Sequence, residues 1–426
     1  MEYGSTTTWN YRGDNAFTIQ LSRKMKPHNV KEFCNALSAF KRTNSDSLFL
    51  DFGEVRYAYP NGVLPIIASI EQLRQNGTRV NIRLPYHYDT RKLFHSVNWA
   101  HFLNPDKYRI SEFQHDRHLV TRNFTNAIEQ TNIVDDFMDV VLRSMTLPRN
   151  IISGLEWSIN EIMDNVLNHS NSEIGGFVQA TTFPKEKTIA FAVVDSGKGI
   201  LNSLREGIPT LRTDLQAIGE AVKAGVTRNP KFGQGNGLAG SLKITTLSGG
   251  SFEIMSGTGS VLIKQQNTVR KISRPSQRYF GTLVCGEVKV NDRFSISEAL
   301  DFGQGEYTPN DVIEMQYEME DKDCLIIKMR NETTGFGTRF SGNQIRTKIL
   351  NLINAEPTFP LVIDWEGVPV ISSSFADELI GKLFLKLGAM TFSSRIRNTG
   401  MEQLIRSLLD KAVAQRLNNA KDTTRG

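Results

Sequence analysis

The stretch that most constrains this chain is residues 151–170, IISGLEWSINEIMDNVLNHS. Its apolar residues Ile151, Leu155, Ile159, Ile162, Val166 and Leu167 recur at helical spacing and predict one amphipathic helix with a core-facing stripe. Glu161, Asn165 and either Asn168 or His169 recur at steps of three or four, so they share a face beside that stripe. On its own, such a polar row reads as the solvated side of a helix. The motifs that follow it give it another meaning.

The chain has 426 residues, 39% hydrophobic and 22% charged, which fits a globular protein of roughly three domains. The net charge of +5 is small for this length and no run reaches five like charges, so nucleic acid is not indicated as a partner. Cys34, Cys285 and Cys324 are far apart and odd in number, which fits neither a disulfide framework nor a zinc site and suggests a reducing compartment. The start, MEYGSTTTWNYRGD, has no apolar signal region, and no apolar run approaches a membrane span of about 20 residues. A cytoplasmic location without membrane contact is the expectation.

Within residues 1–117, Ser47 to Phe52 reads as a buried strand and Tyr59-Pro60-Asn61-Gly62 as a turn. Val63 to Gln75 reads as a helix ended by Asn76-Gly77, and Thr78 to Leu84 as a second strand closed by Pro85. Strand, helix, strand implies a parallel βαβ unit. From Leu48 to Pro85 it resembles the STAS domain of anti-sigma-factor antagonists, but its turn lacks the serine that is phosphorylated in some of them. A docking or structural module is therefore expected. His115, Asp116 and His118 close the region and read as a surface linker.

Residues 118–292 form the expected second domain. A helix is predicted over Asn132 to Leu142, then the helix at 151–170. Strands follow at Phe177 to Phe183 and Thr188 to Val194, and further on at Ser251 to Met255, Gly259 to Lys264 and Gly281 to Val284. The second strand runs into Asp195-Ser196-Gly197-Lys198-Gly199-Ile200. A glycine cluster, Gly233-Gln234-Gly235-Asn236-Gly237-Leu238-Ala239-Gly240, opens a helix. Gly235 to Gly240 has the spacing of a dinucleotide fingerprint, but residues 225–232 are polar and contain Pro230, so the buried strand that fingerprint needs is missing. A Walker A loop is also absent.

Glu161-x-x-x-Asn165, Asp195-x-Gly197-x-Gly199 and Gly233-x-Gly235-x-Gly237, in this order, resemble the GHKL ATP-binding domain of gyrase, Hsp90, histidine kinases and MutL. The resemblance implies a two-layer α/β sandwich that binds ATP and Mg²⁺. It implies that Asn165 holds Mg²⁺, that Glu161 activates the attacking water or hydroxyl, and that Asp195 accepts from the adenine amino group. Gly197, Gly199 and Ile200 would line the base. Gly233, Gly235, Asn236, Gly237 and Leu238 would cradle the phosphates, helped by a helix N-terminus. The stretch from Lys198 to Phe232 would be the lid, with Thr227, Arg228 and Lys231 as phosphate contacts and His169 as support.

Residues 293–410 make the expected third domain. Strands are predicted at Cys324 to Met329 and Phe359 to Trp365, and helices at Thr338 to Leu352 and Ala376 to Leu387, the last ended by Gly388. Leu361-Val-Ile-Asp-Trp echoes Leu48-Phe-Leu-Asp-Phe, which suggests two related βαβ domains, and this copy also resembles a STAS-like domain. Its turn carries Ser372, Ser373 and Ser374, read first as helix N-caps and alternatively as phosphoacceptors. Residues 411–426 read as a disordered polar tail.

The expected fold is thus α/β throughout, a GHKL-type sandwich flanked by two STAS-like domains. The expected function is an ATP-dependent switch with slow hydrolysis, acting on a protein partner docked to the STAS-like domains. The alternatives are a Ser/Thr kinase of the anti-sigma-factor type and a nucleotide-sensing scaffold without hydrolysis. A histidine kinase is not expected, because no His-Glu phosphoacceptor helix precedes the ATP motifs. The GHKL resemblance also allows a homodimer.

Overall fold

Four short segments in the first part of the chain pair into a four-stranded sheet. A computed structural model describes residues 6–10, 17–43, 45–111, 117–223, 237–264, 268–273, 277–291, 299, 317–319, 324–333 and 335–423. Strand β1 (Thr8–Asn10) runs antiparallel to β2 (Phe17–Gln20). After helix α1 (Pro27–Phe40), β3 (Ser47–Asp51) pairs in parallel with β2. After helix α2 (Pro60–Gln75), β4 (Arg79–Arg83) pairs in parallel with β3, from Ser47 opposite Arg79 to Asp51 opposite Arg83. The βαβ unit predicted from sequence is therefore present. Helix α1 goes beyond the sequence reading, although Val30, Phe33, Leu37 and Phe40 have helical spacing and are buried.

Helix α3 (Ala127–Ser144), which contains the predicted Asn132–Leu142 segment, and helix α4 (Arg149–His169) follow strand β5 (His118–Phe124). His118, expected in a linker, lies in this strand, and its Nδ1 is 3.0 Å from Thr181 Oγ1. His115 and Asp116 lie outside the described residues. Strands β6 (Gly176–Phe183) and β7 (Thr188–Asp195) come next, then helices α5 (Gly199–Leu204), α6 (Asp214–Ala221) and α7 (Gly237–Leu247). Strands β8 (Ser251–Gly257), β9 (Gly259–Lys264), β10 (Thr268–Ser273) and β11 (Tyr279–Lys289) complete a seven-stranded sheet. Its order is β10-β9-β8-β11-β7-β6-β5, with every neighbouring pair antiparallel.

Helix α2 joins the two sheets. Every residue from Gly62 to Ile70 is buried, with Val63, Leu64, Ile66, Ile67, Ala68 and Ile70 each 0% exposed, so the helix is enclosed around its circumference and must be covered on more than one side. It packs on β4 and also on β6, β7 and β11. A single hydrophobic cluster runs from Phe17, Leu50 and Ile67 to Phe177, Val194 and Leu283. The buried Gln179 side chain accepts from Trp99 Nε1 at 2.8 Å and from Thr121 Oγ1 at 3.0 Å. The segments expected as the first and second domains thus share one core. Residues 1–137 and 154–307 form one compact unit, and 138–153 with 308–426 form another.

In the second unit, β12 (Glu318–Met319) is antiparallel to β13 (Cys324–Lys328). Helix α8 (Arg339–Ala355) leads to β14 (Leu361–Asp364), which is parallel to β13. Helix α9 (Ser373–Ala376), a π-helical turn Asp377–Gly381 and helix α10 (Lys382–Arg395) lead to β15 (Ile396–Thr399), parallel to β14. One antiparallel pairing followed by two parallel ones repeats the order of the first sheet. The echo extends to the strand ends: Asp51 Oδ1 accepts from Gly53 N at 2.8 Å, and Asp364 Oδ1 from Glu366 N at 3.0 Å.

One expectation holds here and one is corrected. Gly388, at φ 75° and ψ 161°, is non-helical and ends the helical run that precedes it, as its position in the sequence implies; a second helical segment then runs to Arg395 within α10. The expected tail is mostly helix α11 (Gln403–Thr423). Its Ile405, Leu409 and Ala412, spaced four and three apart, are buried, and Arg416 grips Asp377 with two bonds of 2.6 and 2.7 Å. A narrow apolar stripe among polar residues conceals this packing in the sequence.

The second unit also holds a buried ionic network. Lys348, 2% exposed, donates to Asp139 Oδ1 at 2.6 Å and to Glu332 Oε2 at 2.7 Å. Arg143 reaches the same Glu332 oxygen at 2.7 Å and Asp139 at 2.7 Å. Burial opposes ionisation of Asp139, yet Lys348 and Arg143 hold its carboxyl below the usual range. Asn351 accepts from Leu147 N at 2.8 Å and donates to Leu142 O and Met145 O at 2.7 and 2.9 Å.

Two substitutions test these features by urea denaturation. Ile67→Ala leaves a cavity in the shared core and lowers stability by about 2–5 kcal/mol. Lys348→Met leaves buried Glu332 short of a cation and costs about 3–5 kcal/mol.

Candidate functional site

Helix α4 presents Glu161 and Asn165 one turn apart, both partly buried. Asn165 Nδ2 donates to Glu161 O at 2.7 Å, which leaves Oδ1 as the amide's free acceptor face. The start of helix α7 lies against this pair. A Cβ on Gly237 would stand 2.4 Å from Glu161 Oε2 and 3.3 Å from Asn165 Nδ2. At this distance the helix motif and the end of the glycine cluster meet, and a side chain at position 237 would push the Glu161 carboxylate aside. Leu238 follows in the first turn of α7, partly buried. Thr227, Arg228, Lys231, Gly233, Gly235 and Asn236 lie outside the described residues.

The end of β7 is tied to the end of α4. Lys198 N donates to Ser170 O at 2.8 Å, and a Cβ on Gly197 would lie 2.1 Å from that same oxygen. Asp195 is 3% exposed; its Oδ1 accepts from Gly197 N at 2.7 Å, and the Thr282 backbone also donates to its carboxylate. Its backbone oxygen accepts from the Tyr279 hydroxyl at 2.7 Å. Gly199, at φ 75°, turns the chain into α5. Buried Ile200 follows, and its N–H donates to Ser256 Oγ at 3.0 Å, while that hydroxyl donates to Gly281 O at 3.0 Å.

Ser170, Ser256, Tyr279 and Thr282 thus shape the site without having been singled out in the sequence. Tyr279 and Thr282 come from β11, which pairs with β7, and Ser256 from β8, the strand beyond it; no local spacing links either strand to Asp195.

Two carboxyls here are perturbed. Burial, with Asp164 adding to it, pushes Glu161 up to about 7. Burial likewise pushes Asp195 up to about 7, against the two backbone donors that favour its ionised form. Perturbed carboxyls near neutrality, in different microenvironments, mark a candidate reactive or binding centre. Among the described residues, no group of three or more His, Cys, Asp and Glu side chains gathers to hold a metal ion.

In the second unit Ser372 caps helix α9. Its hydroxyl accepts from Phe375 N at 3.0 Å, donates to Gly337 O at 3.0 Å and lies 2.9 Å from Ser374 Oγ. Ser373 is exposed.

Residues 341–406 match a family described as a STAS-like domain of unknown function (DUF4325). The chain therefore carries a STAS-like domain in its C-terminal part, within a mixed α/β protein of several sheets. No curated protein matches the chain. Among the described residues, no helix is long and apolar enough to cross a membrane.

The buried Asp195 carboxyl yields a pH-dependent test. Its folded-state pKa of about 7 lies above its ordinary value of 3.8. Stability is therefore fullest below about pH 4 for this group and is lost as pH rises through about 7. Asp195→Asn keeps an oxygen for Gly197 but removes the charge. In thermal unfolding the variant gains stability over the parent at pH 8, by up to a few kcal/mol, and the gain vanishes toward pH 4.

Proposed function

We propose that this chain binds ATP with Mg²⁺ in a GHKL-type site and hydrolyses it slowly to drive a conformational or partner-docking switch. The observation that carries the reading is the contact of Gly237 with Glu161 and Asn165. Residues 72 positions or more apart meet at close range, in the order and on the elements that the GHKL resemblance implies. The buried Asp195, with backbone donors already on its carboxylate, suits an acceptor for one amino group of a purine.

The donor set fits a Mg²⁺ ion that arrives with nucleotide. One hard amide oxygen, Asn165 Oδ1, is too little for a protein cage but suits an ion that takes phosphate oxygens and waters for the rest. When bound, the ion supplies neutralisation of phosphate charge. Glu161 stands one turn away and is the general base: as carboxylate it takes a proton from the water that attacks the terminal phosphorus, as the bond to the ADP oxygen breaks. Two related α/β sheets, one of them in the STAS-like domain, would give a protein partner its docking surfaces, and closing the stretch around residues 198–232 over nucleotide would change them. The chain is proposed to act in the cytoplasm.

A second reading is a Ser/Thr kinase of the anti-sigma-factor type, favoured by the exposed Ser373 at the start of a helix in the STAS-like domain. In that reading Glu161 activates a seryl hydroxyl in place of water. A scaffold that binds nucleotide without turnover is the third.

Purified parent, Glu161→Ala and Asn165→Ala, given γ-labelled ATP and Mg²⁺, separate these. Free phosphate falls at least 100-fold in Glu161→Ala while ATP binding persists, and Asn165→Ala loses Mg²⁺-dependent binding. Label on the protein that disappears in Ser373→Ala establishes the kinase; binding with neither product leaves the scaffold; no binding by the parent ends the nucleotide reading. Phosphate release also rises with pH through an apparent pKa near 7, because Glu161 must be ionised to act as base.

A further inference from the structure

The STAS-like domain contains a cleft of about 540 Å³ between the starts of α8 and α9 and one face of α11. Its polar wall is Arg339, Ser373, Ser374, Asp377, Lys411 and Arg416, and the half-buried Leu408 supplies apolar surface. We propose that this cleft is a binding site for an organic phosphate monoester, separate from and independent of the nucleotide site proposed above.

Charge selects the ligand class. Three cations face one carboxylate, which leaves two positive charges. That carboxylate is already committed: Arg416 Nε and Nη2 bond Asp377 at 2.6 and 2.7 Å, and Arg339 Nη1 bonds it at 3.0 Å. The bonds to Arg416 and Arg339 hold Asp377 below the usual carboxyl range, so it stays ionised and fixes both guanidinium planes. The next acid, Glu378, is itself held by Arg346 at 2.8 Å and Lys382 at 2.6 Å, and lies only 3.7 Å from Arg339 Nη1. A phosphate monoester carries close to two negative charges above its second pKa of about 6, and its three terminal oxygens accept from guanidinium, ammonium and hydroxyl donors. Arg339, Lys411 and Ser373 are the exposed members of the wall and can turn toward such a group.

Size selects an organic ester over the bare ion. Pockets for small organic molecules run from about 300 to 1,000 Å³ and combine apolar walls with a few placed polar groups. A bare phosphate would leave most of this cleft, and the Leu408 side chain, uncovered.

The test is calorimetric titration of the full chain with inorganic phosphate, ribose 5-phosphate and phenyl phosphate at pH 7.5, with sulfate as control. Phenyl phosphate binds at least tenfold more tightly than inorganic phosphate, and its affinity falls severalfold at pH 5.5. Lys411→Ala weakens it at least fivefold and Ser373→Asp abolishes it; both positions are exposed, so neither change disturbs the core. Asn165→Ala leaves it unchanged, which distinguishes this cleft from the nucleotide site. Absence of saturable binding, equal affinity for inorganic phosphate, insensitivity to Lys411→Ala and Ser373→Asp, or loss in Asn165→Ala each overturns the proposal.

Discussion

Helix Pro60–Gln75 has too much apolar surface for one sheet to cover. Six of its aliphatic side chains are wholly buried, and the buried run from Gly62 to Ile70 is unbroken, so burial goes around the helix and not along one stripe. A small four-stranded sheet satisfies one side; the seven-stranded antiparallel sheet satisfies the other. At roughly 25 cal/mol for each Å² of apolar area removed from water, exposing either side would cost several kcal/mol. The two sheets are therefore one folding problem, and the strand that ends in Asp195 is fixed partly by a helix more than a hundred residues earlier in the chain.

That rigidity explains how a costly site survives. Asp195 and Glu161 are both carboxyls in surroundings that disfavour their charge. Neither is supported by a nearby cation in the described contacts; Asp195 is held by backbone donors that the strand end and Thr282 supply. Local rules are broken at this point of the first unit: a glycine with positive φ, a glycine pressed against a carboxylate oxygen, and a buried acid. Such departures concentrate where a fold serves a ligand, and the well-packed sheet around them absorbs the cost.

The second unit spends charge differently. Lys348, Asp139, Glu332 and Arg143 neutralise one another out of water, whereas Arg339, Lys411 and Arg416 outnumber the single Asp377 at an open cleft. Pairing inside fixes geometry; imbalance at the surface leaves a field that can attract an anion. The same strand order appears in both units, yet only the second places three serines and a cationic wall at the start of its second crossover helix.

What the sequence determined by itself was the set of elements with strong periodicity and clear punctuation. The Ser47–Arg83 crossover, the helix bearing Glu161 and Asn165, the strands on either side of residues 184–187 and the echo between Asp51 and Asp364 were legible, because apolar spacing, turn residues and glycines are local signals. Helix α1 and the C-terminal helix were not, since a 14-residue amphipathic segment opening with Pro27 and a polar helix whose buried Ile405, Leu409 and Ala412 form a narrow stripe give weak local patterns. Tertiary structure alone decided that the first two segments share a core, and that Ser256, Tyr279 and Thr282 stand beside Asp195. It also decided that Gly237 closes on Glu161 and that Arg416 folds back onto Asp377. Each of these is a pairing across tens of residues or more, set by which apolar faces must cover one another, and no window of sequence contains both partners.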